Sequence, residues 1–334
     1  MRIIIDAMGG DNAPDSIVSG AVKAAESIPG LELILVGRGE AVLESLKKFG
    51  HSEVPKNIEI VNASDLITQN DDPTSSIREK KDASMVVALN LLRNGGGDAL
   101  LSAGNTGALL TGATLIVKRI KGIRRAALAP VLPSSDGARI IIDVGANIEC
   151  TPEMLLQFAA MGLCYAKGVL AKPNPRCSLL NIGAEEEKGT PLYVETYKLL
   201  QASGLNFAGN IEARDFYTSD TDVVVCDGFS GNVLLKSMEG MALYLLSELK
   251  SAIYSSALSK LGGLLIQGSL AELKKNMDYN EIGGSVLLGI SKPVVKAHGS
   301  SNSKAIFSAI KQAVTMTESG LIADITAFAA RDAG

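Results

Sequence analysis

Five short loops dominate this sequence, and each places Gly, Asn or Asp where an apolar run gives way to a helical pattern. Glycine lets the backbone approach a ligand closely, and the free N–H groups at the start of a helix attract anions. Because the carboxyl ends of parallel strands share one edge of a sheet, the loops predict a single anion-binding cleft. They span residues 6–11, 102–107, 143–147, 181–185 and 227–232.

Composition indicates a globular protein. Of the 334 residues, 46% are hydrophobic and 20% are charged, which disfavours a disordered chain. A net charge of −4 and an aromatic content of 4% disfavour nucleic-acid binding, which usually needs a basic face and stacking platforms. Residues 1–6 reach a charge too early for a signal peptide, and no apolar run of about 18 residues predicts a membrane span. We therefore expect a cytoplasmic protein.

The cysteines lack metal-ligand spacing, so we expect neither a metal nor a cofactor. A catalytic cysteine would need a neighbouring histidine, and the chain contains only His51 and His298. The cysteines are therefore interpreted as free, buried thiols of a reducing cytoplasm. They are Cys150, Cys164, Cys177 and Cys226.

Strand and helix patterns alternate along most of the chain. This alternation predicts a three-layer α/β/α fold with a mostly parallel sheet. One expected strand covers 127–132, a helix 83–93 follows Asp82 as candidate N-cap, and Thr151 caps a helix that opens with Pro. Ser301 is a further candidate cap. We see no linker, so we expect one domain, residues 1–334.

The stretch 238–283 departs from this rhythm, because it has helical spacing and no credible strand. The pattern predicts a protruding helical hairpin with one apolar face. That face either packs on the core or a dimer partner, or its tip contacts a membrane surface beside flanking lysines. Both interpretations can hold together. The residues expected to contact lipid are Leu258, Leu261, Leu264, Leu265 and Ile266.

The loops and several further motifs carry a resemblance to a known family. Over nearly its whole length, and in order, the chain resembles the bacterial phosphate acyltransferases of phospholipid synthesis. One departure is Asn12, where that family commonly has His, so a histidine there cannot be an obligatory base in this chain. The matching motifs are 6–14, 102–108, 119–123, 128–130, 143–147, 212–215, 225–233 and 296–301.

The resemblance implies an activity, a fold and partners. The family moves an acyl group from acyl-acyl carrier protein to inorganic phosphate, giving acyl phosphate. Its fold is like those of isocitrate and isopropylmalate dehydrogenases and of phosphotransacetylases. The resemblance also implies a homodimer loosely associated with the membrane, where a downstream acyl-phosphate:glycerol-3-phosphate acyltransferase is a further candidate partner.

The chemistry of that reaction suits the residues. Phosphate is a competent oxygen nucleophile and a thioester is an activated acyl donor, so the protein must position both and stabilise an oxyanion. Lys188 is the first catalytic candidate, because its ammonium could hold phosphate as a point charge, although it could instead balance three preceding glutamates. Asn232 is the second, either as an oxyanion or phosphate ligand or as an ordinary helix cap.

Further candidates come from the other loops. Each could be a turn residue rather than a ligand when taken alone. Asp6, Asp11 and Asp143 are acceptors poorly suited to phosphate, so we expect them to orient donors or brace loops. The candidate substrate- or phosphate-binding residues are Gly9, Gly10, Asn105, Thr106, Asn147, Gly231, His298 and Ser300.

Residues 118–125 contain five cations. A solvated basic turn is the usual explanation, but acyl carrier proteins are acidic, and an acidic enzyme needs a local positive patch to attract one. As a hypothesis, this basic segment docks the carrier through Lys118, Arg119, Lys121, Arg124 and Arg125.

Three other functions compete with this interpretation. A dehydrogenase is disfavoured because no Gly-x-Gly-x-x-Gly fingerprint follows a strand. A short-chain phosphotransacetylase is closer in chemistry but would not need the apolar hairpin. A non-catalytic membrane scaffold would form no acyl phosphate at all.

Overall fold

A computed structural model describes residues 1–134, 137–270 and 283–332. In chain order, the strands are β1 (Arg2–Asp6), β2 (Glu32–Gly37), β3 (Ile58–Asn62), β4 (Ala99–Ser102), β5 (Ala127–Ala129), β6 (Val131–Ser134), β7 (Gly137–Ile142), β8 (Cys177–Asn181), β9 (Phe207–Glu212), β10 (Val223–Val225), β11 (Ser285–Leu288) and β12 (Val294–Lys296). The α-helices are α1 (Asp15–Ser27), α2 (Gly39–Lys48), α3 (Pro73–Glu79), α4 (Ser84–Arg93), α5 (Thr106–Gly112), α6 (Pro152–Gly168), α7 (Pro191–Ala202), α8 (Gly228–Tyr254), α9 (Ala257–Leu265), α10 (Ser303–Glu318) and α11 (Leu321–Asp332).

Seven strands form the first sheet, in the order β3-β2-β1-β4-β12-β11-β5. Six of them point in the same direction, and β11 runs antiparallel between β12 and β5. The central strand β1 contains Ile3, Ile4 and Ile5, all fully buried, because helices cover both faces of the sheet. The carboxyl edge of this first sheet carries the loops that follow β1, β4 and β12.

Five strands form the second sheet, in the order β6-β7-β10-β8-β9. All are parallel except β6, which pairs antiparallel with β7. Its centre is equally apolar, since Val223, Val224 and Val225 of β10 are fully buried. The carboxyl ends of β7 and β10 carry the loops 143–147 and 227–232.

The strand expected over 127–132 is in fact two strands that meet at Pro130. Residues 127–129 pair with β11 in the first sheet, and residues 131–134 pair with β7 in the second. Proline lacks the N–H that a continuous ladder would need, so the chain leaves one sheet there and enters the other. The single-strand prediction is therefore wrong, and the division at Pro130 brings the two sheets together.

The three-layer, mostly parallel α/β class is confirmed, with two sheets in place of one. One buried cluster joins Ile3 and Ile5 to Phe158 of α6 and Ile306 of α10. A second lies on the other face and includes Leu89 of α4. Both clusters contain residues of both sheets, so the core continues across the division.

The helical protrusion is confirmed over its described part. Within α8 only Gly228, Gly231 and Leu235 are buried, so the helix leaves the core after its second turn. Its 27 residues correspond to a length of about 40 Å. The shorter α9 packs back against α8 and buries none of its own residues. The remaining residues of the predicted hairpin, 271–282, lie outside the described residues.

The predicted helix caps have mixed outcomes. Thr151 does cap α6, because its side chain accepts a hydrogen bond from the Met154 N–H. The cap at Asp82 is wrong, because α4 begins at Ser84 with Ala83 in the capping position. Ser301 is also not the cap of α10, since the Asn302 side chain accepts from the backbone N–H of Ala305.

Candidate active site

A cleft of about 550 Å³ lies where the carboxyl edges of the two sheets meet. Four of the five predicted loops contribute to it, and the loop 181–185 after β8 does not. The start of β11 closes the same edge, because this strand runs antiparallel to its neighbours. The residues on its walls include Asp11, Thr106, Gly145, Asn232, Lys296 and His298.

Asp6 braces the first side of the cleft. Its buried carboxylate accepts hydrogen bonds from the hydroxyls of Ser84 at 2.6 Å and Ser102 at 2.7 Å. Burial raises the pKa of Asp6 above its ordinary value, although these hydroxyls and the more distant Lys296 oppose the shift. Gly9 sits so close to the next loop that a Cβ there would lie 2.6 Å from the Gly104 nitrogen.

Gly10 joins the first loop to the segment 298–301. Its φ of 99° lies in the left-handed region, and a Cβ there would approach the Gly299 carbonyl oxygen to 2.9 Å. The next residue, Asp11, donates its N–H to that carbonyl oxygen at 2.8 Å. Gly9 and Gly10 therefore shape the wall of the cleft through close backbone packing.

Asp143 braces the second side. Its fully buried carboxylate accepts from the Leu128 N–H at 2.8 Å and from the Asn147 N–H at 2.7 Å. Because Leu128 belongs to β5, this bond ties the first sheet to the end of β7 in the second. Burial raises the pKa of Asp143, opposed by these backbone bonds and by the Asn147 side chain.

Gly231 allows α8 to start directly against Asp143. A Cβ at position 231 would lie 1.9 Å from the Asp143 carbonyl oxygen, a separation that no side chain can occupy. The same carbonyl accepts a hydrogen bond from the Cys226 thiol at 3.3 Å. Gly231 thus places the first turns of α8, including Asn232, at the cleft.

Asn232 lines the cleft and is not a helix cap. The capping residue of α8 is Asp227, which accepts from the Ser230 N–H at 2.9 Å. Asn232 therefore lies in the second turn, with an exposed side chain close to Gly145. This placement removes the ordinary-cap interpretation.

Lys188 lies outside the set of residues that line the cleft with Asn232. Its side chain is exposed on the loop after β8, and it does not belong to the residues that line the cleft. Its backbone is held locally, since its N–H donates to the Glu185 carbonyl and its carbonyl accepts from the Asn181 amide. Only Asn232 of the two catalytic candidates lines the cleft, and the role of Lys188 stays a prediction.

The amides of Asn105 and Asn147 are occupied by structural hydrogen bonds. Asn105 caps α5 by accepting from the Ala108 N–H, and its amide donates to the Thr68 and Gln69 carbonyls. Asn147 donates to the Ala126 carbonyl at 2.8 Å and to Asp143 at 3.0 Å. Neither lines the cleft, whereas exposed Thr106 does.

His298 lines the cleft and contacts Ser300. Its Nδ1 lies 2.8 Å from the Ser300 hydroxyl and accepts from the Ser300 N–H at 3.2 Å. Burial lowers the pKa of His298, and the nearby cations Lys296 and Lys236 lower it further, so the ring is neutral near pH 7. Asn12 holds the same segment, because its amide donates to the Ser300 and Ser301 carbonyls.

Lys296 is the site residue that the sequence interpretation missed. It ends β12 and faces the cleft with only 7% of its surface exposed. A single lysine at the end of an apolar run usually indicates that the strand ends there and that the lysine is exposed to solvent. The signal that could have found it is its position two residues before the predicted ligand His298.

The cysteine thiols are poor candidates for a covalent nucleophile. Burial raises the pKa of Cys150 to about 12 and that of Cys164 to about 11. It also raises the pKa of Cys177 to about 12 and holds that of Cys226 well above its ordinary value. Because the thiolate is the reactive form, all four thiols are unreactive near neutral pH.

The basic segment and the hairpin tip both face solvent. The five cations of the basic segment are exposed, and one of them, Arg124, forms an ion pair with Glu153 at 3.7 Å. In the hairpin, Leu258 is 81% exposed and Leu265 is 82% exposed, and Leu261, Leu264 and Ile266 are also exposed. Among the described helices, none is long and apolar enough to cross a membrane.

Solved structures share this α/β architecture, in which two mostly parallel sheets meet at a cleft. A phosphotransacetylase structure from Streptococcus pyogenes matches with a TM-score of 0.63 at 17% identity, covering 95% of this chain and 94% of that one. At this identity the match shows the fold alone.

Sequence comparison identifies the family. The model of the fatty acid synthesis protein family matches residues 1–324. The phosphate acyltransferase of Clostridium acetobutylicum is 49% identical over 98% of both chains. That of Thermoanaerobacterium thermosaccharolyticum is 50% identical over 97% of this chain and 96% of its own. The chain belongs to the phosphate acyltransferase family of fatty acid and phospholipid synthesis, and it is an acyltransferase.

The bracing role of Asp143 predicts an asymmetry between two conservative substitutions. Asp143→Asn must turn an NH₂ group towards a backbone N–H, because both carboxylate oxygens accept from such donors. We expect the free energy of unfolding to fall by about 1–3 kcal/mol, as measured by urea denaturation. Asp6→Asn is the matched control, because its NH₂ can donate to the Ser102 hydroxyl, and it should lose less than about 1 kcal/mol. Equal losses in the two variants would contradict the assignment.

Proposed function

We propose that this protein transfers a long-chain acyl group from acyl-acyl carrier protein to inorganic phosphate, giving acyl phosphate for glycerol-3-phosphate acylation. The observation that carries the proposal is the cleft itself, which joins glycine-bearing loops, a buried lysine and an exposed asparagine where the edges of the two sheets meet. Phosphate acyltransferase relatives that match end to end support phosphate as the acyl acceptor.

In the proposed reaction, phosphate is the nucleophile. One oxygen of hydrogen phosphate attacks the thioester carbon, and the carbonyl oxygen becomes an oxyanion. The C–S bond then breaks, the acyl–oxygen bond remains, and the proton of hydrogen phosphate ends on the released thiol. The raised pKa values of the four cysteines support direct attack over an acyl-cysteine intermediate.

Asn232 is proposed to donate to the developing oxyanion. Its side chain is exposed at the cleft and is not needed as a helix cap, so the amide is available to a ligand. Fixed donors in a cleft stabilise an oxyanion more than water does, because they need not reorganise during the reaction. Neutral His298 and Thr106, on the opposite wall, are proposed to orient the reactants.

Removing the Asn232 amide should slow turnover without unfolding the protein. We expect Asn232→Ala to lower kcat by about 10²–10³, the usual loss for one oxyanion donor. The assay mixes the protein with a long-chain acyl carrier thioester and phosphate, and traps acyl phosphate with hydroxylamine. Asn94→Ala is the control. Asn94 is an exposed residue that follows α4 and precedes β4, so it lies towards the amino ends of the strands, away from the cleft.

The same assay separates the alternatives. A short-chain phosphotransacetylase would use acetyl-coenzyme A faster than a long-chain acyl carrier thioester. A scaffold would form no product with either donor, and a dehydrogenase would instead reduce a nicotinamide. An Asn232→Ala variant with unchanged kcat would remove the oxyanion assignment.

The basic segment is proposed to dock the acidic carrier. Its five cations are exposed and lie together on the turn between α5 and β5, in a chain whose net charge is −4. Opposite charges steer encounter, and salt screens them over about 10 Å at 0.1 M. A local positive patch would therefore raise the rate of productive encounter with the carrier.

Reversing two of these charges tests the docking proposal. Arg124→Glu with Arg125→Glu should lower kcat/KM for the acyl carrier by about tenfold at low salt, with a smaller loss at high salt. Lys47→Glu with Lys56→Glu is the control, since it changes net charge equally at exposed sites elsewhere. The same kcat/KM as wild type at every salt concentration would exclude docking through this segment.

We further propose a cytoplasmic homodimer whose hairpin tips rest on the membrane surface, near the downstream acyltransferase. The support is the solvent exposure of large apolar side chains along α9, which a soluble monomer would rarely leave uncovered. A long-chain acyl phosphate is itself membrane-seeking, so delivery at the lipid surface suits its chemistry.

Vesicle flotation tests the membrane proposal. Wild type should float with phospholipid vesicles, and Leu264→Gln with Leu265→Gln should remain in solution, because the apolar contact with lipid is lost. Leu43→Gln, at an exposed leucine of α2, serves as control and should float normally. If the double variant still floats but changes its oligomeric state, these leucines belong to a dimer interface.

A further inference from the structure

Lys296 occupies an unusual position for a lysine. It is the last residue of β12, whose neighbours β4 and β11 lie on either side within the first sheet. Val294 and Val295 before it are fully buried, and only 7% of Lys296 itself is exposed. Lysines are almost never this buried unless they are paired. The exposed remainder of its side chain faces the cleft.

The hydrogen bonds of Lys296 leave donor capacity unused. Its ammonium donates to the carbonyl oxygen of Ala103 at 3.4 Å and to that of Ala297. An ammonium has three donors, so one remains after these two bonds. No carboxylate of the described residues lies within ion-pair distance of it. The charge of Asp6 acts on Lys296 only from beyond hydrogen-bond distance, and the Asp6 oxygens accept hydrogen bonds from Ser84 and Ser102 instead.

The surrounding charges do not neutralise this cation. Burial lowers the pKa of Lys296 to about 8, and the more distant charges of Asp6 and Asp11 only partly offset that effect. Across the cleft, Lys236 is itself cationic and is bonded to Glu239 at 2.7 Å. The remaining titratable neighbour, His298, is neutral near pH 7 because its pKa is lowered. A buried ammonium without a bonded carboxylate costs free energy, which an anionic ligand would recover.

We propose that Lys296 is the anchor of the attacking phosphate, and that its third N–H binds a phosphate oxygen at the floor of the cleft. The proposal rests on the proposed function for the identity of the anion. It also assigns to Lys296 the phosphate-holding role that we predicted for Lys188 from the sequence. In the reaction, Lys296 keeps its proton and holds the phosphate charge, while a second phosphate oxygen attacks the thioester.

The anchor has a pH signature with a definite sign. Below about pH 8 the ammonium is charged and binds phosphate. As pH rises through that value the charge is lost, and phosphate affinity falls with it. Phosphate itself gains negative charge as pH rises, so its own ionisation would strengthen binding. A fall in affinity near pH 8 therefore reports on the protein.

The test is calorimetric titration of inorganic phosphate into wild type, Lys296→Met and Lys296→Arg between pH 6.5 and 9.5. We expect Lys296→Met to bind phosphate about 10–100-fold more weakly at pH 7, the loss for one charge-assisted hydrogen bond, and to show no step near pH 8. Lys296→Arg should retain part of the affinity without that step, because arginine stays charged over this range. Lys292→Met, in the exposed turn before β12, is the matched control and should behave as wild type.

Kinetics distinguish two possible sources of the anion. If Lys296 holds inorganic phosphate, Lys296→Met raises the KM for phosphate and leaves the KM for the acyl carrier unchanged. If instead only the KM for the carrier rises, the lysine binds an anionic group of the acyl carrier and the proposal is overturned. A purely structural lysine would change neither KM selectively, and it would not remove the pH step.

The outcomes also separate this proposal from the proposed function. Wild type that forms acyl phosphate, together with a Lys296→Met variant of normal phosphate affinity at every pH, overturns the anchor alone. Wild type that binds phosphate with the predicted step but forms no acyl phosphate overturns the function alone. If Lys296→Met fails to fold, as judged by circular dichroism, Lys296→Arg decides: a step near pH 8 that persists in it would overturn the anchor.

Discussion

The cleft depends on one buried carboxylate that ties two sheets together. Asp143 directly follows β7 of the second sheet, and its carboxylate accepts a hydrogen bond from the backbone N–H of Leu128 in the first sheet. Its carbonyl oxygen leaves no room for a side chain at Gly231, so α8 begins directly against it. The two contacts fix the distance between the sheet edges, and with it the position of Asn232 relative to the first sheet. Because the carboxylate is buried in a region of low dielectric constant, each of its hydrogen bonds is stronger than it would be in water.

The electrostatics of the cleft are set by groups that the fold keeps out of water. Lys296 is buried without a bonded carboxylate, and His298 is held neutral near pH 7. Asp6, the nearest buried acid, is satisfied by hydroxyl groups rather than by the lysine. The cleft therefore offers a positive floor, and its walls carry the carboxylate of Asp11 and the ion pair between Lys236 and Glu239. The positive floor suits a small anion that must keep a free oxygen for attack. Substrate binding would complete the charge balance that folding leaves open.

Much of this arrangement could be predicted from local sequence. Glycine-bearing loops after apolar runs indicated a cleft at the carboxyl edge, and four of the five loops do line it. The helical protrusion followed from a long stretch of apolar residues at helical spacing, without strand signals. The phosphate acyltransferase family, which those loops indicated together, is confirmed by relatives that match nearly end to end.

What the sequence could not supply are the long-range contacts. The burial of Lys296 arises because β12 inserts beside β4, which pairs residues such as Val294 and Leu100 that are far apart in the chain. The amide of Asn105 is occupied by the carbonyls of Thr68 and Gln69, which no local pattern reveals. Similarly, Pro130 could be expected to end a strand, but not to send the chain into a second sheet.

The central claim is that phosphate, and not a side chain of the protein, attacks the thioester. The most direct measurement is a rapid-quench single turnover of stoichiometric acyl carrier thioester and phosphate, with the intact mass of the protein recorded at each time. Direct attack predicts that acyl phosphate forms at the rate at which thioester disappears, while the protein keeps its unmodified mass. An acylated protein that accumulates before acyl phosphate, and decays as acyl phosphate forms, would contradict the account.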